Sequence, residues 1–138
     1  MTSDRGESGK APEQDEQAVP FGADELGHQP GELIPAVRPA PSVAVEPTAT
    51  LIRWRVIRAR GHDHLVGWCV AHQEGRISSP IVRWIPDERR AITRSGRTYE
   101  LVGDPAWDTA AIFVLESKLR VRGWTRRDVE DVTDAVNL

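Results

Sequence analysis

From Leu51 onward, apolar and polar residues alternate. Ile52, Trp54 and Val56 fall on one side of an extended chain and Arg53 and Arg55 on the other, the period-two pattern of a half-buried strand. Gly61-His62-Asp63-His64 supplies turn residues, after which Val66, Trp68 and Val70 alternate again, so a second strand pairs back on the first. A turn at Gly75-Arg76 leads into a third strand over 77–85. Its Ser79-Pro80 step marks a bulge or an edge position, because proline has no N–H for a ladder, and Val82 and Trp84 share its inner face. Pro86-Asp87-Glu88-Arg89 carries turn chemistry. Ala91 to Arg94 then pairs with Thr98 to Val102 through Ser95-Gly96-Arg97.

After Gly103 the period becomes helical. Asp104 serves as N-cap and Pro105 as first residue, and Trp107, Ala111, Val114 and Lys118 recur at three- and four-residue spacing beside Ile112, Leu115 and Leu119. This helix ends near Arg122 at Gly123. Thr125 and Asp128 then form a capping box, with Trp124 and Val129 placed for a hydrophobic staple, so a short final helix runs through Val132 and Val136. The pattern predicts an α+β domain: a five-stranded antiparallel, strongly bent sheet or small partly open barrel, followed by two C-terminal helices. In so small a domain the five tryptophans, Trp54, Trp68, Trp84, Trp107 and Trp124, supply much of the core.

Before this block the composition is different. Residues 1–50 hold nine acids and three bases and are rich in proline, residues 51–103 hold five acids and ten bases, and residues 104–138 hold seven acids and five bases. The net charge of −3 over 138 residues therefore hides a segregation into an acidic leader, a basic centre and an acidic end. A leader with Phe21 as its only aromatic buries too little to offset its ordering entropy, so residues 1–49 are expected to be disordered and 50–138 to form the domain. Leu26 and Leu33-Ile34 are apolar islands in it that suit docking on a partner.

The charge pattern draws attention to the arginines. With the strands above, Arg53, Arg55 and Arg83 point away from the tryptophan-bearing face, and Arg94 and Arg97 lie near the strand ends. Such a surface suits an acidic protein or a phosphate backbone, since guanidinium pairs bidentately with both anions. Stacking aromatics on the same face, which single-strand readers use, are not expected, because the tryptophans alternate to the other side. An ordinary solvated face balanced by carboxylates is the competing reading.

Catalytic signals are absent. Ser78 and Ser79 lack a nucleophile elbow, Asp87 and Glu88 diverge in a turn, and no phosphate-cradling glycine loop occurs. His62, His64, Cys69 and His72 are ligand types zinc accepts, but their spacing matches no zinc pattern, and Cys69 and His72 face opposite sides of a strand. The sequence implies no catalytic residue, no cofactor and no metal. A lone cysteine, a charged start without an apolar core and no run of about 20 apolar residues point to a cytoplasmic protein away from membranes.

The stretches His64-Leu65-Val66-Gly67-Trp68, Arg76-Ile77-Ser78-Ser79-Pro80-Ile81-Val82 and Thr93-Arg94-Ser95-Gly96-Arg97-Thr98-Tyr99-Glu100-Leu101 resemble a loose set of short uncharacterised bacterial and prophage proteins. The resemblance covers about 40 central residues and implies a compact β domain without transferring an activity. The expected function is that of a small non-catalytic interaction protein, an adaptor, subunit or inhibitor of a larger complex, whose partner is another protein. Leu26, Leu33, Ile112 and Leu119 are further contact candidates. Nucleic-acid backbone binding through Arg53, Arg55, Arg83, Arg94 and Arg97 is the alternative.

Overall fold

A computed structural model of the chain describes Leu26, Ile34 and residues 37–136. Seven strands and one α-helix are found there: β1 (Thr48–Ala59), β2 (His62–Cys69), β3 (Glu74–Ile77), β4 (Ile81–Ile85), β5 (Arg90–Thr93), β6 (Thr98–Leu101), α1 (Thr109–Arg122) and β7 (Val129–Asp131). The sheet runs β3-β2-β1-β6-β5-β4, and it is not closed. The α+β class holds, whereas the expected five antiparallel strands and second C-terminal helix do not.

The long strand β1 organises the fold. Along one edge it pairs with β2; along the other it takes β6 in parallel over Thr48–Leu51 and β7 antiparallel over Ile57–Ala59. It is also packed on both faces. Ile57 and Ala59 join Val66, Ile77, Ala111, Leu115, Leu119 and Trp124 beneath α1. Leu51, Trp54 and Val56 join Leu65, Ala91, Tyr99, Leu101 and Val132 in the core on the other side.

Two bulges change the inward sets expected from strict alternation. In β1 the register slips between Ile52 and Arg55, with Arg53 in the left-handed region at φ 45°, so Leu51 rather than Ile52 shares a face with Trp54 and Val56. Gly67 faces this bulge; a Cβ there would lie 3.0 Å from the Trp54 Cβ and 3.1 Å from its Cα. In β4 the slip falls between Ile81 and Arg83, which leaves Val82 62% exposed and turns Ile81 and Trp84 inward. The expected single strand over 77–85 is in fact two, parted at Ser78–Pro80.

Beyond β6 the chain stays on the sheet longer than predicted. The Val102 and Ala106 N–H groups donate to the carbonyls of Leu51 and Trp54, which holds residues 102–106 along β1. The helix therefore starts one turn after Asp104. Its N-cap is Asp108, which accepts from the Ala111 N–H at 3.0 Å, and it stops as expected at Gly123, whose φ of 72° is the left-handed conformation glycine adopts without strain. The capping box of Thr125 and Asp128 also forms, but it heads only a single turn, Arg126–Asp128. Val129-Glu130-Asp131 then completes the open edge of β1, because a short isolated helix gains less than a ladder with buried Val132 behind it.

The packed unit reaches back beyond Thr50. Leu26 is fully buried in the core beneath α1, Ile34 is buried, and Glu46 is buried within a strap over 37–47 that turns at Ser42. Leu26 and Ile34 of the sequence's apolar islands thus pack on the chain itself; Leu33, and residues 1–25, 27–33 and 35–36 of the 1–49 leader expected to be disordered, lie outside the described residues. Among the described residues no helix is long and apolar enough to cross a membrane.

His64, fully buried, gives the fold a pH dependence. Its Nδ1–H donates to the Ser78 carbonyl at 2.8 Å, and Nε2 has no partner among the described residues. Burial pushes its pKa down to about 4, helped by neighbouring His62 and Arg122 and opposed by the Ser78 bond and Asp63. Between pH 6.5 and 4 the unfolded chain carries a proton on this ring that the folded chain refuses. Stability is thus present above pH 6.5 and falls as the pH drops through that window, by up to about 3 kcal/mol. Urea unfolding at pH 7 and pH 4.5 measures the loss, and His64→Asn, which keeps a donor for Ser78 without the titration, is expected to shrink it.

Candidate functional site

The bulge in β1 sends Arg53 and Arg55 to the surface, where each is met by a carboxylate and a tryptophan. Arg53 Nε donates to Asp108 Oδ1 at 2.8 Å, and its guanidinium lies 5.6 Å from the centre of the Trp68 ring. Arg55 donates through Nε and Nη2 to Asp131 Oδ2 at 3.0 and 2.6 Å, and its guanidinium lies 5.6 Å from the Trp107 ring centre. Trp107 and Asp108 are adjacent in sequence, so the two units adjoin: Trp68, Arg53, Asp108, Trp107, Arg55 and Asp131 form a ladder of stacked and paired groups.

Each rung has a structural origin. Asp108 is held by its capping role, and Trp68 by its pairing with Ile52 across β1 and β2. Asp131 accepts from the hydroxyl and N–H of Thr133 at 2.6 and 3.0 Å. Burial alone would raise the Asp131 pKa, but these hydrogen bonds and Arg55 hold it below the ordinary carboxylate value. The rung therefore stays charged at neutral pH.

Beside the ladder the surface is apolar. Trp107 is 38% exposed and Phe113, on α1, 47% exposed. Trp68, Phe113, Val114, Ala110, Gly75 and Val37 line a groove of about 610 Å³, with the Arg38–Glu74 ion pair (2.8 Å) on its wall. Positive and negative side chains are matched here: Arg53 with Asp108, Arg55 with Asp131, Arg38 with Glu74.

The five arginines singled out in the sequence are thus divided. Arg53 and Arg55 share the ladder. Arg83 is exposed on the edge strand β4, and Arg94 is exposed in the β5–β6 turn. Arg97 is buried, 5% exposed, with Nε donating to the Glu46 carbonyl at 2.9 Å and Nη2 to the Pro41 carbonyl. The expected separation of arginines from tryptophans is also reversed, since Arg60 and Arg89 stack on Trp124 and Trp54 as well. Of the other contact candidates, Leu119 is core and Ile112 is half-buried.

A second group escaped sequence reasoning. Arg76, 4% exposed, donates from Nη1 to Glu46 Oε1 at 2.6 Å and from Nη2 to Glu74 Oε2 at 3.2 Å. His72 Nε2 lies 2.6 Å from Glu46 Oε2, and Arg97 Nη1 3.6 Å from Glu46 Oε1. Burial would raise the Glu46 pKa, but Arg76, Arg97 and His72 outweigh it and keep the carboxyl below its ordinary value. This cluster fastens the strap to the sheet. Its acid and its bases stand about 25 to 50 residues apart, so no local motif announces it.

No family model, curated protein or solved structure matches the chain.

Proposed function

We propose that the chain is a small non-catalytic interaction protein that binds another protein through the tryptophan–arginine ladder and the adjoining groove. The observation that carries this reading is that exposed Trp107 stacks on Arg55, itself paired with Asp131, while exposed Phe113 lines a groove with Trp68, which stacks on Arg53. Tryptophan and arginine are the residue types most enriched where interface energy concentrates, and side chains held in place before binding lose less entropy on association. An adaptor, subunit or inhibitor of a larger complex would use such a surface. A cytoplasmic setting fits the lone, buried Cys69 thiol.

Charge matching separates this reading from phosphate-backbone binding. Counterion release needs positive charge in excess, and each ladder arginine already faces a carboxylate. The full chain is therefore expected to bind a mixed-sequence oligonucleotide weakly at all salt concentrations. Affinity rising steeply as salt falls, and lost in Arg53→Ala and Arg55→Ala, would favour the nucleic-acid reading instead. For a protein partner, Trp107→Ala is expected to weaken binding about 30-fold, as removal of a central aromatic anchor does. Because Trp107 is exposed, the melting temperature should move by only a few degrees. Titration calorimetry and a melting curve on the same variant check both.

A further inference from the structure

Between the strap and the β5–β6 hairpin lies a second pocket, of about 200 Å³, whose polar walls are Ser42, Ser79, Ser95, Arg97 and Tyr99. No carboxylate lines it. We propose that this pocket is an oxyanion site that takes a phosphate-sized group.

The donors are in place. Arg97 is held rigidly by its bonds to the Glu46 and Pro41 carbonyls, while Nη1, at 3.6 Å from Glu46 Oε1, is beyond hydrogen-bond reach of it. Among the described residues that nitrogen makes no hydrogen bond, although it is paired in charge with Glu46. Ser79 Oγ accepts from the Ser95 N–H at 3.2 Å and Ser42 Oγ from the Val45 N–H at 3.4 Å, which leaves each hydroxyl hydrogen to be donated elsewhere. Tyr99 brings a further hydroxyl, on a ring fixed in the core. Convergent hydroxyls around a pre-positioned guanidinium are the chemistry that recognises phosphate and carboxylate oxygens.

The charge balance points the same way. Among the described residues Glu46 is shared by Arg76 and Arg97, and Glu74 by Arg76 and the exposed Arg38, so three guanidiniums meet two carboxylates under the strap. A bound anion offsets that surplus, although Glu46, sharing Arg97, opposes it. The volume admits an oxyanion and a few waters, at about 30 Å³ per water. The residues are distinct from those of the ladder, so either reading can fail without the other.

The test is an amide NMR titration of the full chain with inorganic phosphate and, separately, with O-phosphoserine, with sodium chloride holding the ionic strength constant. Saturable shifts at Ser42, Ser79, Ser95 and Arg97, weakened about tenfold in the double variant Ser42→Ala/Ser79→Ala, are expected. The double variant keeps Arg97 and its strap contacts and so remains folded, which its own spectrum verifies. Tighter binding of phosphoserine would identify a phosphorylated side chain as the source; equal affinities would identify free oxyanion. Shifts that stay linear to about 50 mM for both ligands, or an affinity unchanged in the double variant, would overturn the proposal.

Discussion

Replacing Glu46 by alanine is expected to destabilise the fold by about 3–5 kcal/mol, the range for removing one partner of a buried ion pair. The reason lies in what remains. Arg97, 5% exposed, would keep its charge with no carboxylate beside it, Arg76, 4% exposed, would be left with Glu74 alone, and His72 would lose its partner. For a domain of about 100 residues the melting temperature should fall by at least about 12 °C. Glu46→Gln, which retains shape and an acceptor, should lose less. The pair Glu46→Leu/Arg76→Leu should recover part of the loss, because it also removes the buried Arg76 charge and leaves Arg97 alone without a carboxylate. Thermal unfolding of the three variants decides the matter, and a loss below about 1 kcal/mol for Glu46→Ala would mean that the strap is not held by this cluster.

Gly75→Ala is expected to be nearly as costly, for a steric reason. In β3, Gly75 lies against the first turn of α1, and a Cβ built on it would come 2.5 Å from the carbonyl carbon and oxygen of Ala110 and from the Ala111 nitrogen. These are backbone atoms of a helix and cannot rotate away. Strand and helix must separate, at a cost of about 3 kcal/mol or more. Gly61→Ala is the control, since Gly61 has φ of +87° but nothing within 4 Å of its Cβ position, and it should lose only about 1 kcal/mol. Gly75 also lines the groove beside Trp68 and Phe113, so any folded Gly75→Ala protein should bind its partner less well. Chemical denaturation of both variants checks the first point and calorimetry the second.

Local chemistry is what the sequence made legible. The β5–β6 hairpin follows from Ser95-Gly96, the C-terminus of α1 from Gly123, and the capping box from Thr125 and Asp128. Long-range competition is what it concealed. The capping box forms, yet the residues after it join a strand edge some 70 positions upstream. Bulges at Arg53 and Val82 change which residues face inward without leaving a symbol in the sequence. The alternation turns Arg53 and Arg55 away from the core, but their stacking on Trp68 and Trp107 depends on register and on a loop held by β1. Arg97 reads as one more surface cation, because Glu46 lies 51 residues away in a segment whose composition suggests a leader.

The most direct test of the ladder and groove as a protein-binding surface is site-specific photo-crosslinking from position 113, with Phe113→benzoyl-phenylalanine in the full chain expressed in its native cells. A discrete adduct with one protein, lost when Trp107→Ala or Arg55→Ala is added, is predicted. An adduct with nucleic acid, or protein adducts unchanged by those two substitutions, would contradict it.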